Sequence, residues 1–287
     1  MNIVYLNGEL VPQSEAKVSA FDAGFLYGFG AFETMRAYNG VIFRLERHMQ
    51  RLGKAVELMG IEDHLDTGKI EKACYKVLEA NEMQNARIRV SVTAGKTGIP
   101  HVSKPSKFTV LAFAQDIAYL SDRIYTQGYK AIISGFKRYS KSILAGVKTC
   151  CYLENMLARE EALRQKADEA LFLNERGFIT EGTVSNLFIV EKDVVLTPSL
   201  RSGALPGITR EVIMDLSADI GLDCSEGKVS VKRLMVADEA FLTNSIIEIV
   251  PLVKVSASAI GAGKPGPIAG KLLSAYRKII SNEIPHL

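Results

Sequence analysis

Lys148 is the residue around which covalent chemistry could be built. It follows a small apolar approach, Ala145-Gly146-Val147, in the stretch SILAGVKTCCYLENMLA at 142–158. The spacing beyond it predicts a long amphipathic helix that starts at once. A lysine held there can be partly desolvated, and desolvation favours the neutral amine, the nucleophile of Schiff-base chemistry. Most of the 35 Lys and Arg are solvated surface charges, so Lys148 needs companions before this reading has force. One candidate companion is ALPGITR at 204–210. Pro206-Gly207 breaks the chain, and Ile208, Val212, Ile213, Leu216 and Ile220 then recur at helical spacing. A helix start exposes unpaired N–H groups and the positive end of the dipole, which together suit an anion. Thr209 could add a hydroxyl, although simple helix capping uses the same residue types. Thr243-Asn244-Ser245 makes a small polar turn before an apolar strand, and an ordinary strand end reads the same way. Arg44, Arg47 and Arg51 fall on or near one predicted helix, where a solvated basic face accounts for most of them. Tyr27, in GFLYGFG, reads more readily as a partly buried aromatic with a partner for its hydroxyl than as a site residue.

Bulk properties exclude several classes. The 287 residues suit one large domain or two smaller ones, and 47% hydrophobic with 23% charged residues is a globular composition. A net charge of +3, with no basic cluster interleaved with aromatics, gives no reason to expect nucleic acid. The opening MNIVYLNGEL lacks the charged start and apolar run of a signal peptide, and no run reaches the roughly 20 apolar residues of a membrane span. Cys74, Cys150, Cys151 and Cys224 form no C-x-x-C pair. They suit a reducing cytoplasm rather than a disulfide framework or zinc site. His48, His64, His101 and His286 are scattered, so no His-rich metal site is expected. No P-loop is present, and the glycine spacing of GFLYGFG is wrong for a nucleotide fingerprint.

The elements that must position these residues can be taken in order. Residues 3–6 read as a strand, Asn7-Gly8 as a hairpin turn, and Leu10-Val11 as the return. Gly24, Gly28 and Gly30 allow close backbone approach or turns. A strand over 31–38 leads to a second turn at Asn39-Gly40. Met49, Leu52, Val56 and Met59 give a helix over 47–59, and another covers 68–81. ARIRVSVTA at 86–94 alternates as a strand with Arg87 and Arg89 on one face, and 107–114 is a further strand. Residues 116–126 read as a connection. Beyond it come a strand over 129–134, a helix over 153–165 with Leu153, Met156, Leu157 and Leu163 inward, and a hairpin of 169–174 with 178–180. Strands over 186–190 and 194–197, the helix from Ile208, a strand within 240–255, a loop over 259–267 and a helix over 268–280 complete the chain.

The blocks GFLYGFGAFETMRAY, FRLERHMQRL, GVKTCCYLENMLA, FITEGTVSNLF, ALPGITR and TNSIIEIVP stand in the order found in the class IV aminotransferases. The chain resembles that family over nearly its whole length. The resemblance implies an α+β two-domain fold, the pyridoxal 5′-phosphate (PLP)-dependent fold type IV shared with D-amino-acid aminotransferases. A small domain would span 1–115, a linker 116–126 and a large domain 127–287, with the cofactor between the domains and a homodimer as the assembly. It implies that Lys148 forms the Schiff base with PLP and then shuttles the proton. Glu181 would pair with the pyridine nitrogen, Tyr152 with the phenolic oxygen, and Leu205 would pack on the ring. Arg51, Ile208, Thr209 and Ser245 would bind the phosphate. Tyr27, Thr34, Arg89, Thr243 and Asn244 would line the pocket for an amino acid and a 2-oxo acid.

Within the family three chemistries share the scaffold: transamination of branched-chain L-amino acids, transamination of D-amino acids, and elimination of pyruvate from 4-amino-4-deoxychorismate. Thr34, the four-residue step from Lys148 to Tyr152, and Thr243-Asn244-Ser245 resemble the lyases, with some likeness to the D-amino-acid enzymes. MRAYNG, FRLERHMQRL and ALPGITR resemble branched-chain enzymes, and the arginine-histidine carboxylate trap of the D-amino-acid enzymes is not visible around 92–95. The expectation is a transaminase, with the lyase as the alternative and an inactive PLP-binding relative as the reading of another class.

Overall fold

The computed structural model describes residues 2–60, 65–96, 107–117 and 121–284. Contacts divide the chain into two units. The first comprises Met1–Tyr119, Lys148–Tyr152 and Ile284–Leu287, and the second comprises Leu120–Val147 and Leu153–Glu283. Residues 148–152 thus group with the first unit, although they lie within the range 127–287 expected for the large domain.

The first unit opens on the hairpin of β1 (Ile3–Leu6) and β2 (Glu9–Pro12). Asn7 and Gly8 turn it with φ of 52° and 110°, the left-handed geometry that an Asn-Gly pair tolerates. The five-residue helix α1 (Ala23–Tyr27) is capped by Asp22, which accepts from the Gly24 N–H, and ends at Gly28 with φ 67°. A Cβ at Gly28 would sit 2.8 Å from Cys151 Sγ, so glycine here permits the close approach expected of it. Then follow β3 (Gly30–Tyr38), the Asn39-Gly40 turn, β4 (Val41–Ile42), α2 (Leu45–Leu58), α3 (Thr67–Ala80), β5 (Ala86–Thr93) and β6 (Thr109–Asp116). The strands form one antiparallel sheet in the order β2-β1-β6-β5-β3-β4. β5 alternates strictly, with Ala86, Ile88, Val90 and Val92 buried and Arg87, Arg89, Ser91 and Thr93 on the other face. Fully burying a side chain such as Ile88 or Val90 stabilises by roughly 1.5–3 kcal/mol, and that fixes the register against a one-residue slip.

In the second unit, a short helix α4 (Arg123–Gln127) begins inside the expected connection 116–126 and ends one residue beyond it. It is followed by β7 (Tyr129–Arg138), α5 (Leu153–Arg164), β8 (Glu169–Asn174), β9 (Phe178–Gly182), β10 (Asn186–Glu191) and β11 (Val194–Pro198). Next are α6 (Ile208–Asp219), β12 (Cys224–Gly227), β13 (Val229–Ser230), α7 (Val231–Met235), β14 (Glu239–Asn244), β15 (Glu248–Val255), β16 (Ser258–Ala259) and α8 (Pro267–Glu283). The strands order as β12-β11-β10-β14-β15-β7-β8-β9-β13, with β16 paired to β15, and parallel pairing at β11–β12, β15–β7 and β7–β8.

Two sequence expectations fail around Lys148. The helix does not start at once: α5 begins at Leu153, because the intervening residues run along β3. The Phe32 N–H donates to Lys148 O at 3.0 Å, Cys150 N–H donates to Gly30 O at 2.7 Å, and Ala31 bridges Thr149. Nor do the large side chains of α5 point inward. Leu153 is 71% exposed, and Met156, Leu157 and Leu163 are exposed as well. The buried face is Asn155, Ala158 and Ala162. The alanines join Ile132, Ala167, Ala170 and Phe172 in a core cluster, and small side chains let the helix lie close on β7 and β8. Hydrophobic size suggested the wrong face.

Candidate active site

Lys148 is half-buried in the first unit. Its ammonium lies 4.4 Å from the centroid of the Phe32 ring and 6.0 Å from that of Tyr152. The two rings meet edge to face at 5.2 Å. Pairing of residues 148–152 with the start of β3 brings both aromatics to the lysine. Aromatic walls favour an amine through the negative face of each ring.

On α2, Arg51 and His48 converge on Glu33 of β3. Arg51 donates from Nε to Glu33 Oε1 at 2.7 Å and from Nη2 to Oε2 at 2.8 Å, and His48 Nδ1 lies 2.8 Å from Oε2. Glu33 and His48 are buried. Burial raises the Glu33 pKa, but the Arg51 charge and the hydrogen bonds from Arg51 and His48 more than offset it and hold the carboxyl well below the usual range. Burial pushes His48 down despite Glu33. An ionised Glu33 only accepts, so His48 Nδ1 carries the proton. Arg51 is therefore not part of a solvated basic face: a buried fork sets its orientation. Of the other histidines, His64, His101 and His286 lie outside the described residues.

Thr34 and Arg89 are register partners on β3 and β5. Arg89 lies 3.8 Å above the Phe32 ring centroid and donates to Ser91 Oγ at 3.3 Å. Burial lowers its pKa. Arg89, Thr34 and Phe32 thus share a face of the sheet, and Lys148 reaches the same ring. Tyr27 is exposed at the end of α1, so reading it as a partly buried aromatic is incorrect: α1 turns its aromatic side outward.

In the second unit, Glu181 of β9 is buried. Its Oε1 accepts from Arg138 Nη1 at 2.5 Å and its Oε2 from the Leu205 N–H at 2.8 Å. Asn186 Nδ2 donates to Leu205 O at 2.9 Å, so both backbone groups of Leu205 are fixed. Two residues on, Gly207 admits no side chain, since a Cβ there would lie 1.9 Å from Asn186 Oδ1. Gly207 is the N-cap of α6 and offers no side chain to cap it, while Ile208, Thr209 and Arg210 in the first turn are buried. A buried, uncapped helix start is where an anion belongs. Thr243 pairs across the sheet with Asn186. It is fully buried, and its Oγ1 has no hydrogen-bond partner among the described residues. Asn244 Oδ1 accepts from the N–H groups of Ile246 and Ile247 at 2.8 and 2.9 Å, and Nδ2 donates to Val184 O at 3.1 Å. Its side chain therefore shapes the turn, which holds the half-buried Ser245.

Sequence reasoning missed Glu33, His48, Phe32, Arg138, Asn186 and Glu169. Glu169 is buried at the start of β8 and accepts from Thr183 N–H at 3.0 Å and Ser185 Oγ at 2.7 Å, as well as from Thr183 Oγ1. It holds the turn between β9 and β10. The available signal was an acid inside an apolar strand pattern, as in AFETM and DEALF.

A family model described as amino-transferase class IV matches residues 30–255. The chain is 34% identical over 285 residues to the aminodeoxychorismate lyase of Bacillus subtilis (strain 168), covering 98% of this chain and 96% of the relative. It is 32% identical over 288 residues to the branched-chain-amino-acid aminotransferase of Pseudomonas aeruginosa, covering 98% and 94%. The crystal structure of the Escherichia coli branched-chain amino acid aminotransferase superposes with a TM-score of 0.92 at 31% identity, covering 99% and 96%. Another branched-chain amino acid aminotransferase, solved with pyridoxamine 5′-phosphate, superposes with a TM-score of 0.91 at 30% identity, covering 99% and 95%. The fold is the PLP fold type IV, and the chain belongs to the class IV aminotransferase family, whose cofactor is pyridoxal 5′-phosphate.

Proposed function

We propose that this protein transfers an amino group between an amino acid and a 2-oxo acid, with Lys148 as the residue that binds the cofactor and moves the proton. The observation that carries this reading is the Lys148 amine over the Phe32 ring at 4.4 Å. When bound, PLP supplies an electron sink for the charge left as the amino acid loses its α-proton. The residues fit the group by type. The uncapped start of α6, the orphaned Thr243 hydroxyl and the glycine at 207 suit a phosphate. In this reading Arg51, Ile208, Thr209 and Ser245 bind the phosphate. Glu181 holds a proton at the ring nitrogen, Tyr152 hydrogen-bonds the phenolic oxygen and Leu205 packs on the ring. Tyr27, Thr34, Arg89, Thr243 and Asn244 orient the substrate.

The test uses holoenzyme with one amino donor at a time (L-leucine, L-glutamate or D-alanine) and no acceptor. A transaminase releases about one equivalent of 2-oxo acid per subunit and stops, because the cofactor retains the amino group. The donor that reacts identifies the subgroup. A second reading, elimination of pyruvate from 4-amino-4-deoxychorismate, is favoured by the 34% identity to the Bacillus subtilis lyase and by Thr34. Catalytic pyruvate release from that compound with no donor reaction would establish it. A Lys148→Ala protein with undiminished turnover would overturn both.

The working form in this reading is a homodimer. The stripe Leu153, Met156 and Leu157 leaves a helix face of large apolar side chains in water, as an interface requires. Leu157→Glu is expected to shift sedimentation from dimer to monomer, and an unchanged boundary would remove this stripe from the interface.

A further inference from the structure

The Arg138–Glu181 contact goes beyond fixing a side chain. Arg138 sits over the Phe172 ring, with Cζ 3.8 Å from the centroid, and turns Nη1 to Glu181 Oε1 at 2.5 Å. Its Nε faces Glu154 Oε2 at 3.6 Å. A ring below and a carboxylate on the outer side keep the guanidinium against Glu181, and a lysine could not reproduce this planar fit. The second carboxylate oxygen takes the Leu205 N–H at 2.8 Å. A buried carboxylate is costly as an anion unless it is paired, and Arg138 supplies the pair. The guanidinium also acts on any proton that Glu181 shares. A proton on the carboxylate lies beside a fixed positive charge, and a proton passed to a basic nitrogen lies farther from it. Coulomb repulsion therefore drives the proton from Glu181 towards the nitrogen.

Resting on the reading that Glu181 meets the ring nitrogen of the cofactor, we propose that Arg138 is a positioning residue that keeps the shared proton on that nitrogen. Its work is electrostatic and is exerted through Glu181. Electron withdrawal by the ring depends on that proton, so Arg138 influences turnover without touching substrate.

The test is the 15N resonance of ring-labelled PLP bound to the wild type, R138M, R138K, E181Q and the double variant E181Q/R138M, read together with kcat, KM and thermal stability. R138M is expected to move the resonance towards that of neutral pyridine and to lower kcat with little change in donor KM. R138K, which keeps the charge but loses the guanidinium's contact with Phe172, should fall between R138M and wild type. Adding R138M to E181Q should produce no further shift. If R138M destabilises the protein but leaves the resonance at the wild-type position, Arg138 is merely structural and the proposal fails. It also fails if R138M shifts the resonance equally with and without Glu181. If E181Q itself leaves the resonance unmoved, the reading of Glu181 fails first and takes this proposal with it. Should R138M not retain cofactor, R138K decides: an unmoved resonance overturns the proposal and an intermediate one supports it.

Discussion

Glu33→Gln tests whether the cluster on α2 is held by charge. Glu33 is fully buried, and the Arg51 side chain that forks onto it is 13% exposed. Gln has the same shape but removes the charge that the Arg51 fork faces and presents an NH2 to one of its donors. Removing one partner of a buried ion pair costs about 3–5 kcal/mol, a large share of an ordinary total stability of roughly 5–15 kcal/mol. At roughly 2–4 °C per kcal/mol, Tm should fall on the order of 10 °C. The apolar double variant Glu33→Leu/Arg51→Met should lose less than the sum of its single variants, by about 1–3 kcal/mol. The pH dependence has a definite sign. Glu33 is depressed in the fold, so its contribution is present above its ordinary value of 4.5 and is lost as pH falls below it. His48 is also depressed, because it is buried neutral. The unfolded chain therefore takes up that proton first, and stability falls as pH drops through 6.5. Differential scanning fluorimetry from pH 8 to pH 4 should show a falling Tm in the wild type, with the lower limb flattened in Glu33→Gln. A Glu33→Gln protein melting within about 1 °C of wild type, the range of an inert surface change, would refute the reasoning.

Other predictions follow from particular positions. Gly207→Ala places a Cβ against Asn186 Oδ1 and loosens Leu205; PLP affinity by equilibrium dialysis should weaken at least about tenfold, or 1.4 kcal/mol, with circular dichroism unchanged. Gly53→Ala sits inside α2 with nothing within 4 Å of the new Cβ and should stabilise by about 0.5–1 kcal/mol, read as a raised Tm. Alkylation followed by mass spectrometry should label exposed Cys151 first and Cys74 only after unfolding, because burial pushes the Cys74 thiol up to about 12.

Elements with their own local chemistry were legible in the sequence. Asn7-Gly8 and Asn39-Gly40 specify tight turns, β5 alternates without a break, and Pro206-Gly207 marks the start of α6. What stayed hidden depends on partners distant in the chain. β12 reads CSEG and carries no apolar pattern; it is a strand because β11 offers it an edge. The inward face of α5 follows from close packing on the sheet, where alanine fits better than leucine. For the candidate site, the motifs around Lys148 and Glu181 were enough to propose them, whereas Glu33 and Arg138 acquire meaning only through contacts 18 and 43 residues away. Arg51 looked like one of three helix arginines; its fork onto the buried Glu33 sets it apart, and Arg47 is exposed.

The buried acids suggest how site and scaffold can be told apart. Glu239 gives both oxygens to the first N–H groups of α8, at 2.9 and 3.0 Å, and is a helix cap. Glu169 serves a turn, and Arg159 stands 3.9 Å from its Oε1, beyond hydrogen-bond distance. Glu33, Glu181 and Glu248 each accept a hydrogen bond from an arginine, and the state of that arginine separates them. Arg277, the partner of Glu248, is 47% exposed, whereas Arg51 and Arg138 are 13% and 17% exposed. Desolvating a guanidinium as well as a carboxylate is costly, and well-packed apolar residues often do as well or better for stability. A pair buried on both sides is therefore retained for what it positions. Replacing Glu248 and Arg277 together by Leu and Met should leave cofactor binding intact. The same exchange at Glu33 and Arg51 should leave a folded chain that no longer retains PLP through gel filtration. If both double variants hold the cofactor equally well, burial of the arginine does not mark the site.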